Sequence, residues 1–182
     1  MRMKFSSPYK MQNYNSELKI IKYPNPILRK KSEGIKEITP EIRKLAEEMV
    51  LAMGKDKGMG LAAPQVGILK RIIVFETGQG ATALINPKIV KRGKEKFLDV
   101  EGCLSFPDVW LKIKRSKKVE VEATDLRGEK VRFSAEFMVA RILQHEIDHL
   151  EGVLFTDRIG FFEKCKVRKQ LKGLEKKYGL DR

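Results

Sequence analysis

The chain has 182 residues, with Lys+Arg 38 against Asp+Glu 24, a formal charge of +14 and a pI of about 9.8. That length argues for one domain around one sizeable core, and 42% hydrophobic residues with 14 Gly and 7 Pro exclude wholesale disorder and fibrous repeats. No apolar run approaches the ~18 residues that a membrane span needs, so a soluble protein with no membrane partner is expected.

In chain order, Arg2, Lys4 and Lys10 precede no continuous apolar stretch, so no secretory signal is expected. The acid-free, Ser-containing start through Ser16 leaves an organellar presequence as the alternative to a cytoplasmic protein. Residues 1–17 read as a polar N-terminal extension, and 18–182 as one continuous domain without repeats. Thr39 predicts an N-cap with Pro40 at the first helical position. Ile42, Leu45, Ala46, Met49, Val50 and Met53 follow at helical spacing, and Gly54 is the expected stop. Residues 70–76 read as a buried strand, and 83–90 as a second one interrupted by Pro87. Residues 118–124 alternate cleanly, Gly128 supplies the left-handed position of a turn, and 129–133 return as the hairpin partner.

Ser134 is then expected to cap a helix over residues 135–150, with Gly152 just past its end. Phe137, Met138, Val139, Ala140, Ile142, Leu143, Ile147 and Leu150 spread apolar side chains around this helix, which places it at the centre of the fold. A last helix over residues 161–178 puts Val167, Leu171, Leu174 and Tyr178 on one stripe, weakened at Gly173 by roughly 1 kcal/mol. Helix, strands, helix without strand-helix alternation indicates an α+β architecture. Two cysteines, Cys103 and Cys165, make a poor disulfide framework for this length, so both are expected to be reduced, Cys165 as a buried small residue.

The chain's two histidines, His145 and His149, both fall in the segment Gln-His-Glu-Ile-Asp-His over residues 144–149. On a helix, side chains at i and i+4 project from one face about 6 Å apart, the geometry for gripping one metal ion. Glu146 turns about 100° away, within reach of water beside the metal without being a ligand. Two buried, hydrogen-bonded core histidines are the bland alternative, and they would need several partners to offset desolvation. A catalytic centre needs a third ligand and an open position. Glu151, Asp157 and Glu163 lie downstream. Cys103 lies upstream, where Gly102 permits close backbone approach and a thiolate is a strong, soft ligand. The Gly-rich segment over residues 58–65 contains G-x-G-x-x-A but follows a helix and carries Pro64 and Gln65, so it reads as a loop presenting backbone groups and an amide rather than as a dinucleotide fingerprint.

Together the segments Gly58-Met59-Gly60-Leu61-Ala62-Ala63-Pro64-Gln65, Glu101-Gly102-Cys103-Leu104-Ser105 and Gln144-His145-Glu146-Ile147-Asp148-His149 resemble, in order, the three motifs of the peptide deformylase family. The resemblance runs from about Ile20 to Phe155. It implies antiparallel sheets around a central metal-binding helix, with 18–182 as a deformylase-like catalytic domain. It also implies removal of the N-formyl group from formylmethionine at the start of new polypeptides, with release of formate. Carried over by motif position, Cys103, His145 and His149 become the metal ligands and Glu146 the general base and acid. Gln65 and the Leu104 N–H become oxyanion donors, and Gly60 a main-chain partner for an extended peptide. The resemblance favours Fe2+ in the cell, while Cys plus two His also suits Zn2+, Ni2+ or Co2+.

On the 4-3-4 stripe Met138, Ile142, His145, His149, the first two are expected to line the substrate side-chain pocket. Trp110 stands where many bacterial members carry a substrate-contacting arginine, and Arg115 matches the arginine that pairs with Glu101. The lysine-rich C-terminal helix is expected to dock on ribosomal RNA, with no DNA partner. The competing enzyme reading is a zinc endopeptidase with a downstream ligand; the non-enzymatic one is an RNA-binding module with a structural metal.

Overall fold

The computed structural model describes residues 17–179. The N-terminal extension, apart from Glu17, and the possible presequence lie outside the described residues. Helix α1 (Pro40–Lys55) is followed by β1 (Gly60–Ala62), β2 (Ile72–Glu76), β3 (Ala81–Arg92), β4 (Lys96–Cys103), β5 (Phe106–Ser116), β6 (Lys118–Thr124) and β7 (Lys130–Glu136). Helices α2 (Phe137–Leu150) and α3 (Phe161–Tyr178) complete the order. Short 3-10 turns occupy Pro26–Arg29, Ala63–Val66 and Phe155–Asp157. This is the expected α+β fold: a five-stranded antiparallel sheet in the order β1-β2-β3-β6-β7, and a separate β4-β5 hairpin.

The alternation of side chains along β2 builds two of the three cores. Ile72 and Val74 face α1, where they meet Ala46, Met49, Val50 and Met53. Ile73 and Phe75 face α2, with Leu84, Val121, Leu143, Ile147 and Leu150. The large sheet is therefore covered by one helix on each face. A third core joins Val109, Leu111 and Ile113 of β5 to Phe155 and to Val167 and Leu174 of α3. Between sheet and hairpin, every residue of α2 from 140 to 150 is buried, so this helix carries polar groups into the centre of the molecule.

Several boundaries differ from the sequence reading for identifiable reasons. Ser134 does not cap α2. The β6-β7 ladder continues through Glu120↔Ser134, Val119↔Ala135 and Lys118↔Glu136, and the chain turns into the helix at Phe137, whose φ of 51° is left-handed. Thr39 stands at the N-cap of α1 without a side-chain cap bond, and Gly54 lies inside the helix. The strand around Pro87 is longer than expected, because a register shift between Ile85 and Lys88 absorbs the proline and lets pairing resume. Strands β4 and β5 were not read from the sequence, although β5 alternates buried Val109, Leu111 and Ile113 with exposed Trp110, Lys112 and Lys114. Cys165 is exposed rather than buried. The stripe on α3 holds, with Val167 and Leu174 buried and Leu171 and Tyr178 packed against the same cluster.

Gly152 ends α2 with φ +70°, and a Cβ there would lie 2.7 Å from the backbone carbon of Arg29. Both the conformation and the space demand glycine. Gly152→Ala is expected to lower stability by about 2 kcal/mol in urea denaturation; a change below ~0.5 kcal/mol would show that the turn relaxes freely.

Candidate active site

Cys103 ends β4, while His145 and His149 lie one helical turn apart on α2. Folding brings Cys103 Sγ to 3.3 Å from His149 Nε2. One ligand atom from each of Cys103, His145 and His149 falls within 4.8 Å of the others. This donor set, one soft sulfur and two imidazole nitrogens converging on a point, fits a divalent transition metal. The downstream acids are engaged elsewhere: Glu151 pairs with Lys31 and Arg71, Asp157 with Arg29, and Glu163 with Lys166. Among the described residues the three-residue cluster has no fourth protein ligand, as an open catalytic site requires.

The histidines are aimed by buried charge. Glu101 accepts from Arg115 Nε at 2.9 Å and Nη2 at 3.0 Å, and from Arg141 Nη1 at 2.5 Å. Its Oε2 lies 3.1 Å from His145 Nδ1. An ionised carboxylate can only accept, so Nδ1 carries a proton, and Nε2 is the nitrogen left to face a metal. Burial pushes the Glu101 carboxyl up, but the bonds from His145 and Arg115 outweigh it and hold it at about 2. Arg115 also donates to Asp148 Oδ2 at 2.5 Å, and Asp148 accepts from Arg158 Nε at 3.0 Å. Burial, then the nearby His145 and Arg115, hold His149 well below its ordinary pKa and so in the neutral form that ligates.

Glu146 projects into the same cleft, which has a volume of about 690 Å³. Burial raises its carboxyl to about 7, and its Oε2 has no hydrogen-bond partner. Gly60 lies against it so closely that a Cβ there would sit 2.9 Å from Glu146 Cδ. Gln65 is pinned on both sides of its amide: Oε1 accepts from the Ala62 N–H at 2.8 Å, and Nε2 donates to Ser105 Oγ at 3.2 Å. Nε2 also lies 3.5 Å from Cys103 Sγ, which aims the amide at the metal site. The Leu104 carbonyl accepts from Lys22 Nζ at 2.8 Å.

Of the residues given a ligand, catalytic or substrate role, Gly60, Gln65, Cys103, Leu104, Met138, Ile142, His145 and Glu146 line the cleft, and His149 is joined to it through Cys103. Arg115 is buried against Glu101, not solvated. Sequence reasoning missed the bracing roles of Arg141 and Asp148 and the contact of Lys22. The available signal was an arginine and an aspartate on a helix with apolar residues on most sides, where charged groups need buried partners.

The family model described as polypeptide deformylase matches residues 17–164. The chain belongs to the polypeptide deformylase family. It is 48% identical over 141 residues to a peptide deformylase of Carboxydothermus hydrogenoformans, covering 77% of this chain and 91% of that one. It is 40% identical over 170 residues to the chloroplastic peptide deformylase 1B of Oryza sativa subsp. japonica, covering 91% of this chain. The chain spans 63% of the length of that rice protein and 62% of the matching Arabidopsis thaliana one. A plant peptide deformylase crystal structure superposes with a TM-score of 0.85 at 41% identity, covering 92% of this deformylase-family chain and 94% of the other. The Plasmodium falciparum enzyme superposes with a TM-score of 0.84 at 39% identity, covering 88% and 96%.

Arg115 links two buried carboxylates, so Arg115→Met leaves both short of a partner. The expected loss is about 3–5 kcal/mol in chemical denaturation; a loss below ~1 kcal/mol would mean that Arg141 and Arg158 suffice without it.

Proposed function

We propose that this chain is a metal-dependent hydrolase that removes the N-formyl group from formylmethionine at the start of newly made polypeptides, releasing formate. The observation that carries this reading is the three-ligand cluster with the unpartnered carboxyl of Glu146 beside it in one cleft. Among the described residues, no helix is long and apolar enough to cross a membrane.

Cys103, His145 and His149 would hold one divalent ion, and Fe2+ is the proposed cellular metal, with Zn2+, Ni2+ or Co2+ acceptable to the same donors. When bound, the ion supplies positive charge that acidifies water and polarises the formyl carbonyl. Glu146 accepts a proton from the water that attacks the formyl carbon and delivers it to the departing amine nitrogen. The Gln65 amide and the Leu104 N–H donate to the carbonyl oxygen as it gains charge. Gly60 offers its main chain to the extended peptide, and half-exposed Met138 with buried Ile142 take the methionine side chain. The C–N bond breaks, leaving formate and a free N-terminal methionine.

The proposed site of action is the cytoplasm or an organelle that makes protein. Helix α3 exposes Lys164, Lys166, Arg168, Lys169, Lys172, Lys176 and Lys177, which supports docking on ribosomal RNA. Because Val167 and Leu174 complete the third core, deleting α3 would confound that test, and charge-removing substitutions on its exposed face are the cleaner probe. Replacing Lys169, Lys172 and Lys176 by Gln is expected to weaken ribosome cosedimentation at low salt by about tenfold and to leave turnover of short formyl peptides intact. Unchanged pelleting would remove α3 from the docking surface.

Glu146→Gln keeps the ligand set but cannot carry the proton, so metal content should match the wild type while formate release falls about a thousandfold or more. Cys103→Ser should instead lose metal on dialysis, since a hydroxyl does not replace a thiolate. Near-normal turnover by a fully metallated Glu146→Gln protein would contradict the mechanism.

A further inference from the structure

The β4-β5 hairpin buries one face and exposes the other. Its ladder pairs Leu98 with Lys114 and Val100 with Lys112, so each exposed apolar residue on β4 stands beside an exposed lysine on β5. Lys96 extends this row at the far end. Trp110 begins it at the cleft, its ring so close over Gly102 that a Cβ there would lie 2.6 Å from the indole. Trp110 is 68% exposed, Leu98 61% and Val100 47%. Large apolar side chains are not left in solvent together without consequence, and an exposed patch that continues a binding cleft marks an interaction surface. Trp110, Gly102 and Val100 also line the cleft, so the face continues it without a break. None of Lys96, Lys112 and Lys114 takes part in an ion pair or side-chain hydrogen bond among the described residues.

We propose that this face is a track for the substrate polypeptide downstream of its formylmethionine, selecting segments in which acidic and apolar residues alternate. The proposal rests on the deformylase reading given above and specifies its substrate class. An extended peptide advances about 3.3 Å per residue with side chains alternating between two sides. From Gly102 to Lys96 the strand itself advances six residues, about 20 Å, enough to carry roughly six substrate residues beyond the cleft. Apolar side chains would rest on Trp110, Val100 and Leu98, and carboxylates would meet Lys112, Lys114 and Lys96. Asp108 lies at the cleft rim, and Glu95, paired with Lys117, precedes Lys96 at the far end; between them the exposed row carries lysines as its charged residues. Three unpaired lysines on a half-apolar face favour an acidic partner and disfavour a basic one through like-charge contact.

The test compares formate release from three substrates: a formyl-Met tripeptide, a ten-residue formyl peptide with alternating Glu and Leu at positions 4–9, and the same peptide with Lys for Glu. The metal-loaded full chain is used at low and high salt. The expected kcat/KM for the acidic decapeptide exceeds that of the basic one by about tenfold at low salt, and the ratio shrinks towards one at ~0.5 M salt. Substituting Lys96→Gln, Lys112→Gln and Lys114→Gln together should abolish the ratio without changing tripeptide turnover. Leu98→Ser should lower kcat/KM for the acidic decapeptide alone. Equal kcat/KM for the two decapeptides, or a ratio that survives the triple substitution, overturns the proposal. So does competition by oligouridylate with no preference between the peptides, which would assign the lysines to nucleic acid. Failure to deformylate even the tripeptide is a different result, and it contradicts the deformylase reading itself.

Discussion

The carboxylate of Glu101 is the point on which the rest of the centre depends. It lies at the end of β4, two residues before Cys103, and accepts from Arg115 on β5, from Arg141 on α2 and from His145 on α2. One side chain therefore locks together the three elements that must meet if a thiolate and two imidazoles are to converge. It also decides which nitrogen of His145 carries the proton. Such a buried charge is costly when isolated, and here two guanidinium groups on one carboxylate, with Asp148 and Arg158 beyond them, spread the balance over a network. The guanidinium of Arg141 further stacks 4.4 Å from the Phe97 ring and donates to the Ile113 carbonyl, so the brace reaches across both strands of the hairpin.

The surrounding fold makes that network possible by giving α2 two different neighbours. Towards the large sheet it presents Leu143, Ile147 and Leu150, which pack against Ile73, Phe75 and Val121. Towards the hairpin it presents Arg141, His145, Asp148 and His149. The first face supplies burial free energy; the second carries the polar groups of the site. Glu146 falls on the border between the two, which explains a carboxyl that is both desolvated and open to the cleft. Gly60 on β1 completes that border, because any side chain there would occupy the space of the Glu146 carboxyl.

Much of this was legible in the sequence. The period-3.6 pattern located α1 and α3, the clean alternation before Asp125 located β6, and the apolar girdle around the two histidines placed α2 at the centre. The ligand cluster was readable because the chain's two histidines share one short helical segment and Cys103 follows a glycine within a recognisable motif. What stayed hidden was contextual. The start of α2 is set by strand pairing that extends to Glu136, which overrides the capping preference of Ser134. The β4-β5 hairpin carries apolar residues on its exposed face, so β4 lacks the inside-outside contrast that announces a strand. Glu101 lies 40 residues from Arg141, and Arg115 lies 33 from Asp148, so no local pattern reveals which charges will meet.

In the proposed reading, a single divalent ion held by Cys103, His145 and His149 would give this cleft its deformylase activity. The direct measurement is an anaerobic titration of the metal-depleted full chain with Fe2+, following bound metal and formate release from a formyl-Met peptide in the same samples. Formate release should rise in proportion to occupancy and saturate at one ion per chain. Formate release from the metal-depleted chain, or a fully loaded chain that releases none, would contradict it.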